Sequence, residues 1–263
     1  MILPAACPAY LVAYAYTDFF EYAGPLQVQL RSFMGWSSPS DYFFPEIRSL
    51  GGAIFVLSSV LYPYIYLLSR TAFRQVPESL LEVSSMYNKS TFWGLSLPLA
   101  RPAISAGVAL VCMEVISDFG TVEYFSLETL TLGIFNVWIG MNSITAAAQL
   151  ATFSFIFVIL LLVLEMMSRS GRRFNDTSKN QRSSNAIKVK GFDCILYPLI
   201  CVVPVCFGFF IPITILIINV IKSSTINNIF ENLVVLKNTL FVSLIGSISV
   251  SYTHLTLPTI YSV

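Results

Sequence analysis

The chain has 263 residues, of which 56% are hydrophobic and only 11% charged, against about 25% charged in an ordinary soluble domain. That deficit excludes a water-soluble globule of the usual kind. The formal net charge of +1 carries no signal for nucleic acid, and no basic patch is interleaved with aromatics as RNA binders require, so no nucleic-acid partner is expected.

Charge-free runs decide the class. Residues 49–69 and 144–164 are each 21 residues without a charge, and residues 194–221 are 28. Roughly 20 apolar residues cross a bilayer as a helix. The expected fold is therefore all-α, a polytopic transmembrane helical bundle with membrane lipid as its solvent.

In chain order, residues 1–16 are apolar, contain Pro4 and Pro8, and follow no basic residue. They read as the tail of a span rather than a signal peptide. Residues 18–48 mix polar and aromatic side chains, with Trp36, Tyr42, Phe43 and Phe44 of interfacial type. A span over 49–69 leads to a loop over 70–101. The next span is expected from about 102 to 117 and holds Glu114 near its end. Residues 118–142 have three acids and no Lys or Arg. Their apolar part, 129–141, is too short to cross and reads as a re-entrant or interfacial helix. A span over 144–164 follows, then a polar linker over 168–190. The span 194–221 contains Pro198, Pro204 and Pro212 and is expected to kink. Residues 222–237 read as a short loop, and Asn238 begins another apolar run.

Orientation follows from Lys and Arg. The loop 70–101 holds four of the 15 and the linker 168–190 holds seven, while 102–168 holds none. Positive loops stay in the cytoplasm. The loop 70–101 is thus expected inside, and the acidic segment at Asp118 outside.

The stretch from Glu78 to Pro98 is the main polar interruption between two apolar runs. Pro77 suits the first position of a helix, where its missing N–H has no intrahelical partner. Glu78 and Glu82 lie in the first turns, where negative charge meets the positive helix end. Leu80, Val83 and Tyr87 give one apolar face, and Asn88 suits the left-handed conformation that closes a helix. From the pattern alone this is a connecting helix on the membrane surface or a contact for a soluble partner.

This stretch resembles the EAA loop of ABC importer permeases, the cytoplasmic coupling helix that docks in a cleft of the ATPase subunit. Glu82, Val83 and Ser84 stand for Glu-Ala-Ala, Asn88 for the following Gly, and Leu97-Pro98 for the Leu-Pro. Both alanines are replaced, and the spacing from Asn88 to Leu97 is shorter than in the motif. The resemblance implies that Glu78, Leu80, Leu81, Glu82, Val83, Ser84, Tyr87 and Asn88 form the ATPase contact.

Further phrases resemble the ferric-iron permeases of that family: PAYLVAYAYTDF (8–19), DYFFPEIRSLGGA (41–53), SDFGTVEYF (117–125) and AAAQL (146–150). The implied architecture is an ABC transmembrane type-1 domain of the type I permease class over 1–167, incomplete at its start. A basic cytoplasmic linker over 168–191 and the truncated start of a second transmembrane half over 192–249 would follow. The implied function is the multi-pass permease subunit of an ATP-driven importer in the bacterial inner membrane. It would take ferric iron from a periplasmic substrate-binding protein by alternating access, with a cytoplasmic ATPase dimer as partner. Permeases for thiamine, sulfate or phosphonate share much of this plan. A passive channel or a membrane-embedded enzyme are the rival classes, the latter needing His, Asp or Glu clustered at depth.

Polar residues at depth are few. Glu114 and Asp118 are four apart and share a helix face. They are candidates for a cation pathway, or else helix-end acids hydrogen-bonded to neighbouring spans. Tyr10, Tyr14, Tyr16, Tyr62, Tyr64 and Tyr66 have the hard oxygen chemistry of ferric ligands, but their places near span ends suit the interfacial belt better. The five cysteines lie in apolar runs, form no CxxC pair, and read as small buried hydrophobes. No Gly-rich phosphate loop occurs, so ATP hydrolysis is expected on a separate subunit. No catalytic residue, resident metal or cofactor is expected.

The phrase VSYTHLTLPT (250–259) resembles the translation of a transposon-end sequencing adaptor. Residues 250–263 therefore read as a non-native tail, which removes His254, the lone histidine, from metal or acid–base chemistry.

The topology is testable by labelling. A cysteine at Lys89 or Lys179 should react with a membrane-impermeant reagent only from the cytoplasmic side, and one at Glu123 only from outside. Periplasmic labelling at Lys89 would overturn the assignment.

Overall fold

The computed structural model describes residues 1–77, 80, 84, 86, 90–169, 191, 193–222 and 229–260. Every regular element among them is helical. The elements are α1 (Ala9–Phe20), α2 (Pro25–Met34), α3 (Leu50–Arg74), α4 (Leu97–Ser117), α5 (Gly120–Tyr124), α6 (Leu130–Phe135), α7 (Ile144–Arg169), α8 (Asp193–Val205), α9 (Ile211–Lys222) and α10 (Ile229–Ile260). Short 3-10 turns lie at Leu3–Ala6 and Pro39–Asp41, and π-helical turns at Phe92–Ser96, Asn136–Gly140 and Cys206–Phe210.

Five helical stretches are long and apolar enough to cross a membrane: Leu50–Arg74, Phe92–Ser117, Ile144–Met167, Asp193–Lys222 and Leu233–Tyr252. Leu130–Gly140 is apolar but too short, as its sequence implies. Large apolar side chains are exposed along these stretches, among them Phe153, Phe155, Ile195 and Phe241. In a bilayer that exposure costs nothing, because lipid tails replace water as the neighbour.

The chain divides into two compact units, Met1–Ile215 and Leu216–Val263. The second consists mainly of α10, whose described side chains are exposed all round. The first holds a core built on helical spacing. Val12, Ala13 and Tyr16 of α1 pack on Ala53, Val56, Leu57, Val60 and Leu61 of α3, with Phe125 closing the cluster. Ser49 caps α3 by accepting the Gly52 N–H at 3.3 Å. This satisfies one of the donors that a helix start leaves without an intrahelical partner.

α3 and α4 cross closely. A Cβ on Gly107 would stand 2.9 Å from the Ile65 Cα, so only glycine permits this approach. Ala100 and Ala106 are buried on the same helix. Small residues that let backbones close up are how membrane helices associate when apolar burial supplies no driving force between them.

Two boundaries differ from the sequence reading. The second span begins at Phe92 rather than 102: a π-helical turn over Phe92–Ser96 runs straight into α4, and Pro98 follows that wide turn. Pro102 is carried inside the helix. The last apolar helix begins at Ile229 rather than Asn238. Residues 229–237, IFENLVVLK, have apolar side chains spaced for a helix. The expected linker 168–190 lies almost wholly outside the described residues. Residues 250–260 continue α10.

Outside the core, residues 21–48 form a cap. Trp36 stacks on Tyr42 with ring centroids 4.9 Å apart. The Tyr42 hydroxyl donates to Gln27 Oε1 at 2.6 Å and accepts from Arg31 Nη1 at 3.0 Å. Arg31 also lies over the Tyr22 ring, and Arg48 pairs with Glu21. Asp41 accepts the backbone N–H groups of Ser38 and Ser37 at 2.8 and 2.9 Å. These bonds hold its carboxyl below the usual carboxylate range.

Gly107→Leu should lower the thermal stability of the detergent-solubilised protein by about 1–3 kcal/mol, the usual cost of overpacking, because the obstacle is backbone and no rotamer change relieves it. Gly133→Leu, where a Cβ meets nothing within 4 Å, should leave the unfolding midpoint unchanged. Equal midpoints for the two variants would remove Gly107 from the crossing.

Candidate functional site

The sequence points to two places, and the structure describes them unequally. Of the expected coupling residues, Leu80 and Ser84 are described. Both are helical. Leu80 is exposed, and its N–H donates to the Pro77 carbonyl at 3.2 Å. Ser84 Oγ donates to Thr91 Oγ1 at 3.2 Å, which ties the stretch to the start of the following span. Glu78, Leu81, Glu82, Val83, Tyr87 and Asn88 lie outside the described residues.

Around them stand side chains that pattern reading had not singled out. Met86 and Trp93 are 84% and 70% exposed. Phe92 stacks on Phe73 at 6.0 Å and meets Trp93 edge-on at 5.2 Å. The aromatic pair Phe73–Phe92 joins the end of α3 to the π turn that leads into α4. An exposed Met and Trp beside a polar helix give an apolar contact face, or an anchor at the lipid headgroups.

The second place is the opposite end of the same two helices. Glu114 and Asp118 line one cavity of about 400 Å3, together with Cys7, Tyr10, Tyr64 and Thr121. Residues 5–10, the middle of α3 and the end of α4 thus converge with the short helix α5. Asp118 ends α4, and its Oδ1 accepts the Thr121 N–H at 3.0 Å. Its own carbonyl accepts the Thr131 hydroxyl at 3.1 Å. Asp118 therefore closes α4 and takes one hydrogen bond from the turn into α5. Glu114 differs: it is exposed on the span and has no hydrogen-bond partner among the described residues.

Thr121 is the residue that sequence reading missed. It is fully buried, and its Oγ1 finds no partner among the described residues. A buried hydroxyl left in that state costs about 1–3 kcal/mol. Its signal in the sequence was only a threonine after an Asp-Phe-Gly turn, and burial cannot be read from that.

The tyrosines divide. Tyr10 and Tyr64 line the cavity, and Tyr10 packs edge-on against Tyr124 at 5.6 Å. Tyr16 is not in an interfacial belt. It is fully buried in the core, where its hydroxyl donates to the Phe207 carbonyl at 2.6 Å. Tyr62 likewise donates to the Met1 carbonyl at 2.7 Å. A tyrosine near a span end can turn inward when a backbone acceptor waits there, because its hydroxyl must be paired once buried. Among the described residues no three His, Cys, Asp or Glu side chains converge as a metal site.

Water access to the cavity is open to test. With the native cysteines replaced, Glu114→Cys and Asp118→Cys should both react with a charged, impermeant thiol reagent added from outside. A cysteine at Phe153, exposed toward lipid on α7, should not react. Protection of position 114 equal to that of 153 would mean that the acid faces lipid or a dry contact.

No family model and no solved structure matches the chain. It is 27% identical over 208 residues to the Fe(3+)-transport system permease protein FbpB 2 of Haemophilus influenzae, a match that covers 77% of this chain and 39% of that protein. The chain thus spans well under half the length of the curated relative it matches. With five helices able to cross a membrane, that similarity supports the likeness drawn from the sequence phrases: over part of its length, this chain resembles the permeases of ferric-iron ABC transport systems.

Proposed function

We propose that the chain is part of the membrane permease of an ATP-driven importer for ferric iron, working by alternating access in the bacterial inner membrane. The observation that carries the reading is the similarity to a Fe(3+)-transport permease over most of this chain. The positive loop that brackets the segment 78–98 supports it independently. On this reading residues 1–167 belong to one transmembrane half, the basic linker is cytoplasmic, and residues 192–249 begin a second half.

The permease itself is not the enzyme. ATP binding would close a separate ATPase dimer, and the dimer would move the helix at Glu78–Asn88. A partner shifts a conformational equilibrium only by binding its two states differently, so the energy has to enter through that contact. Exposed Leu80, Met86 and Trp93 supply apolar area for it. The Phe73–Phe92 stack and the Ser84–Thr91 hydrogen bond join the segment to α3 and to the lead into α4. At the other face, a periplasmic binding protein would deliver its cargo near Glu114 and Asp118.

Glu82→Lys tests the coupling. In the permease assembled with its ATPase, this change should abolish uptake and ATPase copurification while leaving insertion and abundance unchanged. A cation in the first turns of a helix costs about 0.3–1 kcal/mol, too little to unfold a multi-span protein. Loss of a charge-assisted bond at a buried contact costs about 2–5 kcal/mol. Retention of uptake and copurification near the parent level would reduce Glu82 to a helix-start residue.

A further inference from the structure

We propose that the trough between α4 and α7 holds one acyl chain of a phospholipid whose headgroup carries both a phosphate and a primary ammonium, as phosphatidylethanolamine does. The proposal needs only that these two helices cross a membrane. It is independent of any cargo, carrier or ATPase.

The trough starts from one face of α4. Arg101, Ser105, Val108 and Cys112 line a cavity of about 510 Å3. They recur three or four residues apart, so they form a single stripe along the helix. The same helix approaches α3 through Gly107, which that spacing places on a different face. Leu164 and Glu165 of α7 stand on the opposite wall. Val108 and Leu164 are exposed, so the trough lies open at the side of the helix pair.

Its length fits one leaflet. At 1.5 Å per residue, Arg101 to Cys112 covers about 16 Å. The hydrocarbon core is about 30 Å thick, so the stripe runs from one interface to near the midplane. Within it, the Ser105 hydroxyl donates to the Pro102 carbonyl at 2.9 Å and makes no further polar demand. Cys112 behaves as a small hydrophobe. Beyond the charged mouth, the wall therefore suits an acyl chain.

The two charges lie at one membrane face. The apolar helix between α4 and α7, Leu130–Gly140, is too short to cross, so the two spans run in opposite directions. The start of α4 then meets the end of α7. Arg101 stands in the second turn of α4, and Glu165 stands one turn before the end of α7. Glu165 is about 32 Å along α7 from Ile144, which is the thickness of the core, and the long Arg101 side chain reaches the headgroups by snorkelling.

The mouth selects the headgroup. A guanidinium matches phosphate through paired N–H donors. Glu165 opposes an anion beside it and so disfavours a headgroup that is only negative. A primary ammonium offers three N–H donors to that carboxylate, and a trimethylammonium offers none. One cation and one anion at the mouth of an apolar trough thus complement a zwitterion with N–H donors at its amine end.

The test is lipid retention by the chain purified in detergent, titrated with dioleoyl phosphatidylethanolamine, phosphatidylcholine and phosphatidylglycerol and read by native mass spectrometry. One phosphatidylethanolamine should be held roughly tenfold more tightly than either other lipid, the share of one charge-assisted hydrogen bond. Arg101→Gln should weaken it by a similar factor. Glu165→Gln should lose the preference for ethanolamine and gain affinity for phosphatidylglycerol, because the repelling charge is gone. Val108→Trp should fill the trough and displace all three lipids. Glu123→Gln, an acid outside the trough, should match the parent. Unfolding midpoints of all variants establish that they fold. Equal retention of the three lipids, or parent-like retention by Arg101→Gln and Val108→Trp, would overturn the site. So would a lipid-free dimer that Val108→Trp breaks, since a second copy would then be what covers the trough.

Discussion

The close approach of α3 and α4 at Gly107 and Ile65 is the contact on which the arrangement of both candidate sites depends. A side chain at Gly107 would collide with backbone, so the two spans meet at a fixed point. One heptad along α4, about 10 Å away, Glu114 stands over the same groove as Leu57, Leu61 and Tyr64 of α3. In the other direction, Phe73 near the end of α3 stacks on Phe92 before α4 begins. One helix pair therefore carries the polar cavity at one end and the positive loop at the other. On the import reading, force applied at the loop needs no separate relay. On that reading the pair would move as packed helices do, between discrete arrangements rather than by continuous bending.

A second set of contacts is made at the π turn Cys206–Phe210. Tyr16 of α1 donates to the Phe207 carbonyl within the π turn at Cys206–Phe210, and Gly208 of that turn lies against the Ser59 carbonyl and Pro4. A wide turn frees carbonyls from the regular ladder and lets another element bond to them. Similar turns open α4 at Phe92–Ser96 and follow α6 at Asn136–Gly140. The first of these leads straight into α4 ahead of Pro98.

Glu114 and Asp118 illustrate how two acids at helical spacing come to differ. Asp118 closes α4 and caps the turn into α5 through the Thr121 N–H, so part of its hydrogen-bonding capacity is structural. Glu114 lies one turn earlier and keeps its carboxylate exposed. An unpaired acid on a membrane span is costly unless it meets water, an ion or another protein surface. That cost makes its position informative, and a cavity of about 400 Å3 lies beside it.

The sequence by itself determined the class of fold, the rough place of the spans and the family likeness. Each of these rests on composition along the chain: apolar run length against bilayer thickness, and short phrases around Pro, Gly and Asp. It also put Glu114 and Asp118 on one face, since a four-residue spacing requires it. Tertiary structure decided what composition cannot hold. Thr121 became a buried, unpartnered hydroxyl because α5 folds back under residues 5–10. Tyr16 left the interface for the core because a carbonyl of the π turn stood within reach. Tyr10 of α1 and Tyr64 of α3, distant in sequence and alike in type to four other tyrosines, line one cavity with the end of α4. These outcomes depend on which side chain meets which neighbour across the bundle, and no local pattern encodes that meeting.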